Sequence, residues 1–192
     1  SPVPFVDAEL DAIIKKKVIE PSVKGLSKDG ISFRGFLYAG LMIDSNMNPK
    51  VLEYNCRFGD PETQPIMLRL KSDLIDMIQT CFFGNISNYD IEWDERSAMG
   101  VVLSSIGYPE SYETGGEIIG LNEFSKKSDV KIFHSGTSIE NENILTNGGR
   151  VLCVTALGDS LNQANINAYS AVEQIDWDGK YYRKDIGFRV MK

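Results

Sequence analysis

A chain of 192 residues with 42% hydrophobic content has room for one large domain or two small ones around a real core. Its net charge of −7, from 20 basic and 27 acidic residues, leaves no basic stripe of the kind nucleic acid needs. The longest apolar runs, such as Val101-Val102-Leu103, are far too short to span a bilayer, so neither nucleic acid nor membrane is an expected partner.

The chain opens Ser-Pro-Val-Pro, without Met and without a secretory or transit signature, and reads as starting inside a longer protein. Asp7 caps a predicted helix whose apolar positions Leu10, Ile13 and Ile14 recur at helical spacing. Lys15-Lys16-Lys17 reads as its solvated face, and Pro21 is expected to break or kink it. A second helical piece runs to Leu26 before Asp29-Gly30 stops it. Residues 33–44, rich in aromatic and branched side chains, predict a long strand; 45–49 is a turn, and 50–56 is the return strand of a hairpin. Pro65 starts a short helix to Leu70, and Asp73 caps a stronger one carrying Leu74, Ile75, Met77, Ile78 and Phe82.

Residues 84–96 are polar and turn-rich, which places a domain boundary there: 1–95, then 96–192. The second part is expected to be β-rich, with strands at 99–106, 130–134 and 150–156. Asn147-Gly148 is a hairpin signal expected to join 143–146 to the strand at Arg150. Ser160 caps a last helix to about Ile175, and 181–190 reads as a strand-like tail. Cys56, Cys81 and Cys153 lack CxxC or zinc spacing and read as reduced thiols in the cytosol. His134 is the only histidine, and its strand context favours a structural role.

The chemistry concentrates at the end of the hairpin, in Glu53-Tyr54-Asn55-Cys56-Arg57-Phe58-Gly59-Asp60-Pro61-Glu62. Alternate residues of a strand share a face, so Glu53, Asn55 and Arg57 are expected on one side and Leu52, Tyr54 and Cys56 on the other. Carboxylate and amide oxygens are hard ligands suited to Mg²⁺. A guanidinium beside them suits phosphate oxygens. The combination points to phosphoryl chemistry on a metal–nucleotide complex.

Glu53-x-Asn55-x-Arg57 after a hairpin resembles the ATP-grasp superfamily. The longer strings 35–44 and 52–64, with 70–74, 133–137, 147–156 and 182–189, resemble the glycinamide ribonucleotide synthetase (phosphoribosylamine–glycine ligase) family over essentially the whole chain. The resemblance implies an α+β fragment: the C-terminal lobe of an ATP-grasp fold, then a small β-rich C-terminal domain. It implies a missing N-terminal half as partner and a cytoplasmic ligase of purine biosynthesis. That ligase joins glycine to 5-phosphoribosylamine with ATP as co-substrate and Mg²⁺ or Mn²⁺ as cofactor. By itself the fragment is expected to be inactive.

By the same resemblance, Glu53 and Asn55 are the metal ligands, and with Arg57 they form the nucleotide-binding set. Arg57 stabilises the transferring phosphate, or alternatively pairs with Asp60 or Glu62. Asp60 helps remove a proton from the amine. Gly59, Asp60 and Glu62 contact substrate. Arg183 and Lys184 hold the ribose 5-phosphate, or instead pair with Asp178 or Asp185. Gly148-Gly149-Arg150 reads as a turn and strand start. Many ATP-grasp enzymes carry a further acidic ligand on the preceding strand; residues 39–42 here hold none, and Asp44 lies close to the turn. A different class of reading is a non-catalytic or split-subunit module that reuses the fold.

Overall fold

The computed structural model describes residues 1–124 and 129–191. The chain forms two compact units that interleave in sequence. The first comprises residues 2–60 and 71–92; the second comprises Ser1, residues 61–70 and residues from 93 onward.

The first unit opens with helix α1 (Ala8–Ile14), whose N-terminus is capped by the Asp7 carboxylate accepting from Leu10 N–H at 2.8 Å. Pro21 does not break the helix. The chain passes through a π turn (Lys15–Ile19) straight into α2 (Glu20–Lys28). Proline lacks an N–H, and its ring crowds the carbonyl one turn back. The wider turn just before it shifts the ladder by one residue, so that Glu20 N–H donates to the Lys15 carbonyl.

Strands β1 (Tyr38–Ile43) and β2 (Pro49–Asn55) form the expected antiparallel hairpin. β1 is shorter than the sequence predicts: its upstream part is irregular around Gly35, which holds φ +129°. At the hairpin tip, Asp44 Oδ1 accepts from the N–H groups of Asn46 and Asn48, each at 2.9 Å. These backbone bonds, led by Asn48, hold the Asp44 carboxyl below its usual pKa. Lys17 Nζ donates to Asn48 Oδ1 at 2.9 Å and ties the helix to this tip. Later in the chain, α4 (Leu74–Phe83) starts where predicted, with Asp73 Oδ1 accepting from Ile75 and Asp76 N–H.

The second unit is built on a four-stranded antiparallel sheet. In chain order its strands are β3 (Ser97–Ser105), β4 (Val130–His134), β7 (Arg150–Gly158) and β8 (Lys180–Tyr182), and their spatial order is β4-β7-β3-β8. Helix α3 (Thr63–Arg69) and helix α5 (Leu161–Val172) both pack on β3 and β7. Pro65 lies in the first turn of α3, where its missing N–H leaves no bond unmade. It also faces Gly100: a β-carbon on Gly100 would lie 3.3 Å from both Pro65 Cδ and Cys153 Sγ. The other sheet face sends Val101, Leu103, Leu152, Val154 and Ala156 into a core with Ala164, Ala168 and Ala171 of α5. Covered by both helices, β7 is buried without alternation from Val151 to Gly158. Ser160 caps α5 as expected, its Oγ accepting from Gln163 N–H at 3.1 Å.

Two strand expectations are corrected. Asn147-Gly148 does not join 143–146 to β7. Strand β6 (Asn143–Thr146) pairs with β5 (Thr137–Glu140) through a two-residue turn at Asn141 and Glu142, which hold φ 47° and 70°. Gly148 instead meets the backbone of Gly136, an approach too close for any side chain, while β7 pairs with β3 and β4. The predicted tail strand is confined to β8, and turns follow it. Cys56, Cys81 and Cys153 form no disulfide. Among the described residues no helix is long and apolar enough to cross a membrane.

Candidate functional site

The hairpin of the first unit positions the acid and the amide. Glu53 stands opposite Gly40, and Asn55 opposite Tyr38. The register slips between Gly40 and Leu41, leaving Leu52 as an extra residue on β2, a bulge directly beside Glu53. Tyr54 lies between Glu53 and Asn55 and turns the other way. Its hydroxyl is 2.6 Å from Ser22 Oγ on α2, and its ring lines a cavity of about 390 Å³ with Pro21, Leu26, Phe33 and Cys56. Alternation therefore places Glu53 and Asn55 together on the face away from α2. Glu53 is exposed and Asn55 half-buried.

Arg57 does not extend that row. The strand ends at Asn55, and Cys56 and Arg57 lie in a bend. The Arg57 guanidinium donates from Nη1 to the Phe58 carbonyl at 3.0 Å. Phe58 in turn packs its ring on Phe36, with centroids 4.0 Å apart. That contact anchors the loop just before Gly59, which is buried, and Asp60, which is exposed.

Glu62, Arg183 and Lys184 belong to the second unit. Arg183 is engaged by Asp185: Nε donates to Oδ1 at 2.9 Å and Nη2 to Oδ2 at 2.8 Å. This two-pronged bond raises the Arg183 pKa and lowers that of Asp185. Lys184 is exposed. Tyr169 on α5 organises this segment, donating its hydroxyl to the Arg183 carbonyl at 2.7 Å and accepting from Ile186 N–H at 3.1 Å. Its burial is the main cause of a raised pKa, which keeps that proton in place. His134 lies at the end of β4 with Nδ1 3.1 Å from Thr137 Oγ1. Gly149 carries no side chain because the Tyr108 ring occupies that space, and the Arg150 guanidinium lies 6.0 Å from the same ring.

Among the described residues no three His, Cys, Asp or Glu side chains converge as a metal cluster. The Glu53–Asn55 pair nevertheless fits a hard divalent cation. It offers carboxylate and amide oxygens, and the missing side chain of Gly40 leaves space beside Glu53. Two protein oxygens suit an ion that keeps water and phosphate oxygens as its other ligands. Gly40, Tyr38, Phe36 and Tyr169 belong to no charged or metal-ligating pattern, and motif reading misses them. A glycine inside a strand pattern was the one available signal.

The mixed helix–sheet architecture with its two-stranded hairpin is similar to that of ATP-grasp proteins. Residues 1–63 match the family description "Phosphoribosylglycinamide synthetase, ATP-grasp (A) domain", and residues 98–189 match "Phosphoribosylglycinamide synthetase, C domain". The phosphoribosylamine–glycine ligase of Salmonella typhimurium is 50% identical over the whole chain, which spans 45% of that relative's length. That of Vibrio parahaemolyticus is 48% identical, with 44% of its length covered. The crystal structure of the Thermotoga maritima phosphoribosylamine–glycine ligase is similar at TM-score 0.74 and 32% identity, over 88% of this chain and 41% of that one. Biotin carboxylase from Campylobacter jejuni, at 13% identity and TM-score 0.58 over 96% of this chain and 40% of its own, shares the fold alone. The chain belongs to the phosphoribosylglycinamide synthetase family and spans less than half the length of the curated relatives it matches.

Proposed function

We propose that this chain carries the metal-bearing hairpin and the C-terminal domain of a cytoplasmic ATP-dependent ligase of purine biosynthesis. That ligase joins glycine to 5-phosphoribosylamine, giving glycinamide ribonucleotide, ADP and phosphate. Residues 1–95 are assigned to the ATP-grasp portion and 96–192 to the C-terminal domain, and the remainder of the relatives' length is their partner. The observation that carries the reading is the pairing of Glu53 with Asn55 on one face of a hairpin, in a chain of this family.

In the reaction, the glycine carboxylate attacks the γ-phosphorus of ATP, the bond to the β–γ bridging oxygen breaks, and ADP leaves. The phosphoribosylamine nitrogen then attacks the acyl carbon of glycyl phosphate, and inorganic phosphate leaves. Glu53 and Asn55 would hold Mg²⁺ or Mn²⁺, which supplies neutralisation of phosphate charge when bound. Arg57 donates hydrogen bonds to the transferring phosphoryl oxygens and shares its guanidinium with the Phe58 carbonyl. Asp60 accepts the proton that the attacking amine gives up. Gly59 and Glu62 line the substrate, with Glu62 accepting from the amine. Arg183 and Lys184 bind the 5-phosphate, which then competes with the Asp185 carboxylate for Arg183.

The test is ADP formation that depends on both glycine and phosphoribosylamine, measured in the longest natural polypeptide that contains this chain. Activity is expected there and none from the 192 residues alone. Glu53→Ala in the long polypeptide should lower turnover by on the order of a hundredfold. Near-normal turnover at saturating Mg²⁺ removes Glu53 from the ligand set.

A further inference from the structure

Gly40 occupies the middle of β1, directly opposite Glu53 and next to the register slip that leaves Leu52 unpaired. A β-carbon built there would lie 3.0 Å from Glu53 Cγ, 3.5 Å from Tyr38 Cε1 and 3.7 Å from the Glu53 carbonyl oxygen. The last two distances are ordinary van der Waals contacts. The first is tighter than nearly all real β-carbon contacts, so a neighbour must give by a few tenths of an ångström, and it falls on the Glu53 side chain rather than on backbone. Gly40 is not among the glycines with positive φ, so no turn geometry demands glycine at this position. Glycine inside a strand forfeits packing and backbone entropy. The space beside Glu53 is what the strand obtains in exchange.

We propose that Gly40 is a positioning residue for the Glu53 carboxylate. By contributing no side chain, it leaves the Glu53 arm lying over β1, on the hairpin face that also carries Asn55. Tyr38, the partner of Asn55, flanks the same gap and confines it on one side. A methyl group at position 40 therefore meets the Glu53 side chain first, and a shift of a few tenths of an ångström at Cγ re-aims the carboxylate beyond it. The inference rests on the reading of Glu53 and Asn55 as divalent-metal ligands.

The experiment compares Gly40→Ala, Glu53→Ala and the double variant in the longest natural polypeptide that contains this chain. Mn²⁺ binding is read from the electron paramagnetic resonance of the unbound ion, with a non-hydrolysable ATP analogue present, and thermal melting is recorded alongside. Gly40→Ala is expected to weaken Mn²⁺ binding by roughly tenfold, the size of other losses in groups that orient a ligand. Its melting temperature should stay the same or rise, because alanine restricts the unfolded chain more than glycine does. In the Glu53→Ala background, where the Cγ is gone, adding Gly40→Ala should cause no further loss. Unchanged Mn²⁺ binding in Gly40→Ala, with binding lost in Glu53→Ala, overturns this inference alone. Unchanged binding in Glu53→Ala overturns the ligand reading beneath it. Equal losses from Gly40→Ala in both backgrounds, or a loss that tracks falling thermal stability, mark a general packing role and also overturn the inference.

Discussion

Arg183 and Asp185 hold each other by two parallel hydrogen bonds of 2.9 and 2.8 Å, both side chains largely in water. Such a pair adds little stability, because solvent and salt screen it. Its value is geometric: the guanidinium is held in one orientation while Tyr169 fixes the carbonyl of the same residue. The Arg183 hydrogen bonds are the main cause of the lowered Asp185 pKa. A depressed carboxyl contributes its share above the unfolded value, about 3.9, and loses it as pH falls through the lower folded value. In a carboxyl-detected NMR titration, Asp185 should therefore titrate below the ordinary aspartate range. It should return toward that range in Arg183→Gln. An unchanged midpoint in the variant would show that the pair does not persist in solution. Sequence reading named both partners of this pair and left the phosphate and ion-pair roles open, since a run of alternating charges does not say which carboxylate turns back.

Helix α5 illustrates how much an element owes to small residues. Ala164 and Ala168 are fully buried and Ala171 nearly so, which lets the helix lie close on β3 and β7. Gly158 approaches the Ala164 backbone too closely for any side chain. Ala168→Leu should overpack this face and destabilise the second unit by about 1–3 kcal/mol in chemical denaturation. A neutral effect would mean that the helix can shift outward. The starts of α1, α4 and α5 were readable from Asp7, Asp73 and Ser160, because an N-cap acts on N–H groups two or three residues away. The π turn ahead of Pro21 was not readable, since proline announces a conflict but not its resolution. Nor was the Asn141-Glu142 turn, because glutamate at φ 70° gives no glycine-like signal and Asn147-Gly148 gives a stronger one nearby.

The two units differ in how they are held together. Almost all buried apolar side chains lie in the second unit; among the described residues the first buries only Leu10 and Val18. The first unit also exposes Phe83 at 90%, Leu52 at 65% and Ile75 at 62%. Exposed apolar side chains are ordinary one at a time; this chain spans 45% of the length of its Salmonella typhimurium relative, which leaves room for a segment that covers the first unit. In hydrogen exchange of the 192-residue chain, amides of β3 and β7 should be the slowest. Those of the β1–β2 hairpin should exchange much faster, and slow markedly in the longer polypeptide. Equal protection of both units in the short chain would show that the first unit is stable without a partner.

Family resemblance carried the α+β class; local chemistry alone carried the helix caps, the β1–β2 hairpin and the placing of Glu53 beside Asn55. Each depends on residues adjacent in the chain or two apart on one strand, so periodicity suffices. The tertiary structure decided which strands pair, and thus that β6 joins β5 while β7 lies between β3 and β4. It decided that α3 packs with the second unit. It took Arg57 out of the row that alternation predicts, because the strand ends at Asn55. It also set Gly40 across from Glu53. These outcomes depend on register and on contacts between segments distant in sequence, where a slip of one residue turns a side chain to the other face.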